Sequence, residues 1–444
     1  MGRKRISRRT FFSDVSAAGV AFTIVPRHVL GRGYRAPSDT LNIACIGVGG
    51  MGSNDVKGVA GENIYALCDV DWKSAEGSFM AYPRAKRYKD FREMLEKERN
   101  NIDAITVSTP DHTHAAAVMM GLKLGKHVYC QKPLARTVHE VRVLVAEAKR
   151  ARGATQMGNQ GHANEGTRQI REWVEAGAIG PVREVQYWTN RPVWPQGINR
   201  PTEMHNVPAT LDWNLWLGPS AERPYHPSYA PFAWRGWWEF GTGAMGDMAC
   251  HIMDAGYWAL GLKYPSRVVP ESTQLYSETA PKASRIDFSF PARANRPAVA
   301  VVWRDGGIYP PRPFDWPAEK AWPFDTSGQL WIGETGTLVA GTYGENPRLS
   351  DEAKHQALMA SPPAVKYPRV EGVYAEWIKA CKGGPAAGSN FAEHAGPLTE
   401  MILLGNLAVR SGKTIDLDPE TGVLKTAGIP DEYWKPTYRS GWTL

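Results

Sequence analysis

Apolar residues in the first third of the chain come in short continuous runs instead of alternating with polar residues. The runs cover residues 41–48, 64–70 and 102–109, and each has the length of a β-strand. A strand that is apolar at every position is buried on both faces, as in a parallel sheet. The pattern therefore predicts a parallel sheet in this part of the chain.

Segments with helical character alternate with these runs, at residues 91–98, 115–124 and 138–151. Thr137 and Glu140 have the spacing of a capping box at the start of the last one. Strands that alternate with helices in this way predict an α/β fold whose first domain is a doubly wound Rossmann domain.

The pattern changes after about residue 180, where strands with alternating apolar and polar positions begin. They lie at 182–189, 286–290 and 298–304, and a hairpin is predicted around residues 333–336. We expect a C-terminal α/β domain with an open mixed or antiparallel sheet. The predicted organisation is a leader at 1–36, a dinucleotide-binding domain at 41–160 and a substrate-binding and oligomerisation domain at 161–444, whose C-terminal segment can pack back on the first domain.

A glycine motif, Gly47-x-Gly49-x-x-Gly52, directly follows the first buried strand. In this context the first glycine allows a tight turn, the second lets the backbone approach a pyrophosphate, and the third lets the helix pack close to the sheet. Asp69 ends the next strand, where a carboxylate accepts hydrogen bonds from ribose hydroxyls and repels a 2′-phosphate. We therefore predict NAD as cofactor in preference to NADP. A glycine-rich turn without a cofactor is the alternative.

Two further segments are placed to contact a cofactor at the carboxyl edge of the sheet. Residues 108–114 are predicted as a polar loop, and 131–133 follow an apolar strand. The His-x-His spacing at 112 and 114 can suggest a metal, but no set of carboxylates and cysteines completes a site, so no metal is predicted. The predicted cofactor contacts are Gly47, Gly49, Gly50, Met51, Gly52, Asp69, Thr109, Pro110, His114, Gln131, Lys132, Asn159 and Gln160.

Three residues are candidates for catalysis. Lys132 ends a predicted strand and precedes a proline, and a desolvated lysine at such an edge can act in proton transfer. An ordinary surface lysine is the alternative. Asp247 and His251 are one helical turn apart, so they share a face, and the carboxylate is predicted to orient the imidazole as a base.

These motifs together resemble the glucose-fructose oxidoreductase / inositol dehydrogenase / rhizopine catabolism family over nearly everything after the leader. The resemblance implies a Rossmann domain joined to an α/β domain with an open sheet, which usually pairs between subunits as a homodimer or homotetramer. It also implies that Lys132, Asp247 and His251 flank substrate and nicotinamide, with His251 removing a hydroxyl proton as hydride leaves the same carbon. Gln131 departs from the family, which usually has Glu there, and this removes a negative charge beside Lys132.

The stretch from 190 to 246 is rich in Trp, Pro and Gly and is too long for an ordinary loop. Aromatic faces stack on sugar rings, so it is the best candidate to bind a carbohydrate, although about half of its tryptophans are expected to be structural. The predicted substrate contacts are Trp188, Arg191, Trp194, His205, Arg235, Trp237 and His251.

The positive net charge of +7 is concentrated at the N-terminus. Residues 1–36 hold eight Lys and Arg against Asp14, which leaves 44 basic and 44 acidic residues in the rest of the chain, so a nucleic-acid interface is not indicated. Arg8 and Arg9 precede an apolar run at 15–25 that is too short for a stable membrane span. This layout resembles a twin-arginine signal and predicts a periplasmic protein. The five cysteines have no CxxC spacing and are expected to be free thiols.

Export would separate the enzyme from the cytoplasmic enzymes that recycle NADH, so we expect a tightly held cofactor. One solution is a dehydrogenase that cycles between two carbohydrates. The runner-up is an NAD-dependent glycoside hydrolase that oxidises, eliminates, adds water and reduces again, for which Tyr187, Tyr225 and His205 are candidate additional bases. A non-catalytic carbohydrate binder is the third alternative.

Overall fold

A six-stranded parallel sheet forms the first layer of the fold in the computed structural model, which describes residues 39–293, 296–313, 315–319 and 324–444. The strands of this sheet are β1 (Asn42–Ile46), β2 (Asn63–Cys68), β3 (Lys86–Tyr88), β4 (Ala104–Val107), β5 (His127–Cys130) and β6 (Thr155–Met157). They lie in the order β3-β2-β1-β4-β5-β6, and every neighbouring pair is parallel. The strand order reverses between β1 and β4, so a crevice opens there at the carboxyl ends, where ligands bind in open α/β sheets.

The helices of this domain connect its strands, as the alternating pattern predicts. They are α1 (Gly50–Gly58), α2 (Trp72–Ala81), α3 (Phe91–Lys97), α4 (Asp111–Lys123) and α5 (Val138–Ala148). The capping box of α5 is confirmed, because the Thr137 side chain accepts from the Glu140 backbone and the Glu140 carboxylate accepts from the Thr137 backbone.

The start of α4 differs from its prediction. Residues 111–114 are its first turn rather than part of a loop. The polar sequence hid the helix because these side chains are buried against neighbouring loops and so do not show amphipathic periodicity. An aspartate in the first turn also suits the helix dipole.

The second sheet has eight strands and is mixed, as predicted. Its strands are β7 (Val182–Thr189), β8 (Arg267–Ser272), β9 (Ser284–Phe290), β10 (Val299–Arg304), β11 (Ser327–Gly333), β12 (Thr337–Ala340), β13 (Arg348–Leu349) and β14 (Ile415–Asp416). They lie in the order β13-β12-β11-β7-β10-β9-β8-β14, with β7 and β10 parallel and the other pairs antiparallel. The predicted hairpin around 333–336 is the β11–β12 connection.

The described part of the second half also contains α-helices. They are α6 (Glu165–Glu175), α7 (Trp213–Leu217), α8 (Gly243–Ile252), α9 (Asp254–Ala259), α10 (Glu352–Ala360), α11 (Val373–Cys381), α12 (Gly396–Ser411) and α13 (Asp431–Trp434). The long helix α12 contacts α5 of the first domain as well as α8 and β8 of the second. Residues 41–444 therefore fold as one compact unit.

The C-terminal segment packs on the first domain. The Trp442 ring lies 5.9 Å from that of Phe91, and the Arg92 guanidinium lies 4.0 Å from the Trp442 ring.

All five cysteines are free, and four of them are buried. Within the described residues, no helix combines the length and the apolar character that crossing a membrane requires. The predicted leader lies outside the described residues.

Candidate active site

The glycine turn between β1 and α1 is crowded on its inner side. A Cβ on Gly52 would lie 1.9 Å from the Gly47 carbonyl oxygen, and one on Gly49 would lie 2.1 Å from the Ser74 hydroxyl. Gly47 has φ +74°, which other residues rarely adopt. The glycines therefore let β1, α1 and α2 meet at one point.

The outer side of the same turn fits a dinucleotide. Gly50, with φ +49°, has no heavy atom within 4 Å of where its Cβ would be, and no side chain caps the N-terminus of α1. Free backbone amides at a helix N-terminus, together with the helix dipole, bind phosphate. The exposed Met51 borders this open face.

Substitution of Gly52 with alanine should abolish cofactor binding, because the new methyl group collides with the Gly47 carbonyl and forces α1 away from β1. We expect the dissociation constant for NADH, measured by fluorescence titration, to rise at least tenfold. Gly77→Ala is the matched control, since a Cβ there meets nothing within 4 Å. Equal NADH affinity in the two variants would contradict the assignment of the turn.

Asp69 binds the glycine turn itself. Its carboxylate accepts from the backbone amides of Val48 at 2.8 Å and Gly49 at 3.1 Å, and from that of Asp71 at 2.9 Å. Burial raises its pKa, and these three hydrogen bonds oppose the rise. The carboxylate thus fixes the turn, and its predicted bonds to ribose hydroxyls would be additional to this role.

A buried carboxylate that the sequence analysis missed lies beside Gln131. Asp55, on α1, accepts from the Gln131 amide at 2.9 Å, from Ser108 at 2.6 Å and from Tyr374 at 2.7 Å. Burial raises the pKa of Asp55. Gln131, which is uncharged, thus contacts a buried carboxyl group through its side chain. Only the fold could reveal this, because Asp55 and Gln131 are far apart in the sequence.

Gln131→Glu should destabilise the protein, because a second carboxylate would then lie about 3 Å from Asp55. Two carboxylates so close cannot both ionise, so the pKa of one rises. Because this carboxyl pKa is higher in the folded state than in the unfolded state, the loss of stability is greatest at high pH and becomes smaller as the pH falls. We expect a loss of about 1–3 kcal/mol at pH 8 and less at pH 5, measured by urea unfolding. The double substitution Asp55→Asn with Gln131→Glu should recover most of the lost stability. A loss of stability that does not depend on pH would contradict this account.

Lys132 and Asp247 form a close ion pair across the two domains. The Lys132 ammonium lies 2.6 Å from the Asp247 carboxylate and donates to the Asp247 carbonyl at 2.9 Å, and both side chains are only 12–13% exposed. Arg235 donates to the same carboxylate oxygen at 2.9 Å. Despite burial, the two cations hold the pKa of Asp247 well below its usual range. Lys132 is therefore not an ordinary surface lysine.

His251 follows Asp247 by one turn of α8, as predicted, but the two are not hydrogen-bonded. The expectation that Asp247 orients the imidazole is wrong in this structure, because both cations compete for that carboxylate. The Nδ1 atom of His251 is buried without a hydrogen-bond partner. Burial and then the charge of Lys132 lower the pKa of His251 to about 3, although Asp247 and Asp254 oppose this. The ring is therefore neutral near pH 7 and able to accept a proton.

Lys132→Met should raise the pKa of His251 toward its unperturbed value, because the second largest cause of its lowering is removed. The measurement is an NMR titration of the His251 ring in the protein without substrate. Lys123→Met, which removes an exposed lysine, is the control and should leave the titration unchanged. A His251 titration identical in wild type and Lys132→Met would show that the lysine does not act on the ring.

Two more residues near this group escaped the sequence analysis. The Tyr343 ring lies 4.8 Å from that of His251 in an edge-on arrangement, and burial and the charge of Asp247 raise the Tyr343 pKa. Tyr343 comes from the loop after β12, a connection that no motif marks. Asp111 is buried at the start of α4, accepts from Thr242 at 2.7 Å, and has its pKa raised by burial to about 7.

Several predicted cofactor contacts are held by protein groups. Both ring nitrogens of His114 lie 2.8 Å from carbonyl oxygens, those of Thr109 and Pro133, so the histidine ties together the two segments at the carboxyl edge. The Asn159 side chain is buried and bonds Asp254 and Ser389. Thr109, Pro110 and Gln160 remain partly exposed. The side chains of His114 and Asn159 are therefore already engaged by protein groups, backbone carbonyls for His114 and the side chains of Asp254 and Ser389 for Asn159.

The predicted tryptophan contacts are buried core residues. Trp188, Trp194 and Trp237 are at most 6% exposed, and their indole N–H groups donate to Phe324, Gln196 and Ser228. Trp237 lies in an aromatic cluster that the stretch from 190 to 246 forms with α7, Trp188 packs in a separate cluster with Phe324, and Trp194 contacts Phe232. Stacking of sugar on these three rings is not available in this structure.

The remaining predicted residues divide between the site and the surface. Arg235 donates a hydrogen bond to Asp247, and Arg191 is close enough to Tyr343 for its charge to act against the rise in the Tyr343 pKa. His205 is exposed and packs against His226, away from this group. Of the candidate additional bases, Tyr187 is fully buried and Tyr225 packs against Trp213, so neither contacts His251.

One group of three side chains has donor atoms close enough to hold a metal ion among the described residues. It consists of His162, Asp254 and His394, all buried. The Asp254 carboxylate accepts from His162 at 3.0 Å and from His394 at 2.6 Å, so hydrogen bonds account for the arrangement. The His112 and His114 pair, by contrast, bonds only carbonyl oxygens.

Comparison with known proteins agrees with this architecture. Residues 41–159 match the model for the NAD-binding Rossmann fold of the Gfo/Idh/MocA oxidoreductase family, and residues 167–292 match the model for its C-terminal alpha/beta domain. Inositol 2-dehydrogenase of Salmonella paratyphi B is 27% identical over 147 residues, which are 32% of this chain and 43% of that protein. The chain thus matches less than half the length of this relative.

Solved structures share the fold over most of the chain. The WlbA dehydrogenase from Bordetella pertussis, in complex with NADH and UDP-GlcNAcA, has a TM-score of 0.59 at 18% identity and covers 85% of this chain and 99% of its own. The aldose-aldose oxidoreductase from Caulobacter crescentus, complexed with glycerol, has a TM-score of 0.55 at 17% identity, with coverage of 85% and 100%. The two family models together match more than half of the chain, so this chain belongs to the Gfo/Idh/MocA oxidoreductase family.

Proposed function

We propose that the protein is an NAD-dependent oxidoreductase that acts on a CH–OH group of a carbohydrate or polyol. The observation that carries this proposal is the neutral His251 beside the Lys132–Asp247 ion pair. Lys132 follows the carboxyl end of β5, and Gln131 contacts Asp55 of α1 at 2.9 Å. His251, the proposed proton acceptor, therefore lies near the sheet edge that also carries the glycine turn.

The residues divide the chemistry between them. His251 accepts the substrate's hydroxyl proton at Nε2, because its Nδ1 is buried. The Lys132 ammonium stabilises negative charge on the substrate oxygen, and Asp247, which also accepts from Arg235, holds that ammonium in place. Bound NAD supplies the hydride acceptor.

The preference for NAD over NADP rests on Asp69. A carboxylate at the end of β2 repels a 2′-phosphate, and its bonds to Val48 and Gly49 fix it there. Dissociation constants for NADH and NADPH test this preference. Tighter binding of NADPH would overturn it.

A second candidate function is NAD-dependent glycoside hydrolysis, which needs one more base than simple oxidation. Tyr343, 4.8 Å from His251 between ring centres, is the residue that favours this alternative. In this reaction bound NAD would serve as a transient hydride acceptor for a substrate hydroxyl. A protein base would then remove the acidified neighbouring C–H proton, so that the aglycone could leave, water could add, and the ketone could be reduced again. The net change is hydrolysis without consumption of NAD.

One experiment separates the two. Purified protein is incubated with NAD and a panel of polyols, aldoses and p-nitrophenyl glycosides, while NADH absorbance and nitrophenol release are followed together. Stoichiometric NADH supports oxidation, and nitrophenol without net NADH supports hydrolysis. Neither product from any substrate, with sugar binding retained, would support a carbohydrate binder and overturn both proposals.

We further propose a periplasmic location by the twin-arginine route and a homodimer or homotetramer. The basic sequence before residue 36 supports the first, and the family resemblance supports the second. If the protein is exported, its NAD should co-purify as a tightly held cofactor. Fractionation of cells, light scattering of the purified protein and mass spectrometry of the released nucleotide test these points.

A further inference from the structure

Two arginines without carboxylate hydrogen bonds face one cavity between α5 and α12. Arg136 lies just before α5, and Arg410 lies in the last turn of α12. The cavity also contacts Thr242, Trp238, Asn406 and Tyr433. The two arginines are its only charged lining residues.

Arg136 is nearly enclosed by protein. Its side chain is 7% exposed, and it donates to the Trp238 carbonyl at 2.8 Å. The nearest carboxylate, that of Glu239, lies 3.8 Å away and is 28% exposed, while the Arg136 Nε is buried with no hydrogen-bond partner. A buried donor of this kind calls for an unobserved partner.

Arg410 has even less compensation. Its guanidinium lies 4.0 Å from the Tyr433 ring and 5.6 Å from the Trp238 ring, and its Nε is buried without a partner. Burial and then the positive charge of Arg136 lower the pKa of Arg410 to about 10. Glu239 and Glu432 act on it only at longer range. Partly buried cations with so little compensation are costly, and paired guanidinium groups bind oxyanions through charge-assisted hydrogen bonds.

We propose that the cavity between Arg136 and Arg410 binds a small inorganic oxyanion, sulfate or phosphate. The cavity has room for one small group but not for a sugar or a nucleotide. Thr242 and Asn406 line the same space; the Thr242 hydroxyl donates to Asp111, and the Asn406 amide donates to the Thr242 carbonyl. Since Thr242 directly precedes α8, the anion would hold the start of the helix that carries Asp247 and His251.

Calorimetric titration and thermal unfolding with sodium sulfate, at constant ionic strength against sodium chloride, test this site. We expect one saturable site per chain and a saturable rise in unfolding temperature. Arg410→Met should lower the sulfate affinity at least tenfold, whereas Arg152→Met, which removes an exposed arginine, should not change it. Parallel titrations with phosphate and acetate distinguish the tetrahedral ions from a carboxylate.

Sulfate also stabilises proteins without a specific site, and that effect does not saturate. A sulfate response that is linear and equal in wild type, Arg152→Met and Arg410→Met would therefore overturn the proposal. So would an Arg410→Met protein that retains the wild-type affinity. These measurements need no substrate or NAD, so their outcome is independent of the proposed oxidoreductase activity.

Discussion

Replacement of His251 with alanine is expected to lower kcat by about 10²–10⁴-fold, which is the usual contribution of a positioned general base. The low pKa of His251, about 3, means that the ring is neutral across the pH range in which the enzyme would be assayed. No loss of activity from its protonation is therefore expected near pH 6.5. Initial rates from pH 5 to 9 on the substrate identified by the panel measure both effects.

Binding of NADH should be unchanged in His251→Ala, because the glycine turn and Asp69 belong to another domain. His139→Ala, at the start of α5, is the matched control and should keep wild-type rates. Near-normal turnover in His251→Ala would refute the role of this histidine. Loss of NADH binding would instead indicate that His251→Ala does not fold correctly. Tyr343→Phe is a milder change beside the same ring and should not cause such a defect.

Asp254→Ala should produce the largest loss of stability among single side-chain truncations near the site. The Asp254 carboxylate accepts from Asn159, His162 and His394, and all four residues are buried. Removal of one partner from a buried charged network costs about 3–5 kcal/mol. Asp416→Ala, which breaks an exposed pair with Arg267, should cost no more than about 1 kcal/mol. Urea unfolding at pH 7.5 compares the two variants.

The pH dependence gives a second test of this network. The two histidines hold the pKa of Asp254 well below its usual range. A lowered carboxyl pKa contributes stability above the unfolded value, about 3.9, that is lost as the pH falls toward the folded value. The cost of Asp254→Ala should therefore shrink as the pH falls below about 4. A cost equal to that of Asp416→Ala at pH 7.5 would contradict the network's structural role.

The ion pair and the base form an arrangement that differs from a triad. Asp247 is engaged by two cations, so it fixes Lys132 and Arg235 rather than the imidazole. His251 instead packs edge-on against Tyr343, and desolvation and the nearby ammonium keep its ring neutral. Asp111, whose pKa burial raises to about 7, adds a titrating group to the same neighbourhood.

The local sequence determined most of the first domain. Buried strands read as continuous apolar runs because a parallel sheet is covered on both faces, and the glycine motif fixes the turn since only glycine fits its close backbone contacts. The capping box of α5 and the i, i+4 placement of Asp247 and His251 are local as well. The pattern along the chain was sufficient to predict features that depend only on residues within about one helical turn or one strand.

Contacts between distant segments were decided only by the tertiary structure. Helix α4 starts at Asp111 because its polar first turn is buried against other loops, and several tryptophans of residues 190–246 pack in one aromatic cluster. The pairings of Gln131 with Asp55, Asp247 with Lys132 and His251 with Tyr343 join segments far apart in the chain. Hydrogen-bond partners and desolvation depend on the packed neighbours in three dimensions, so the sequence by itself determined which groups are present, and the fold decided which of them meet.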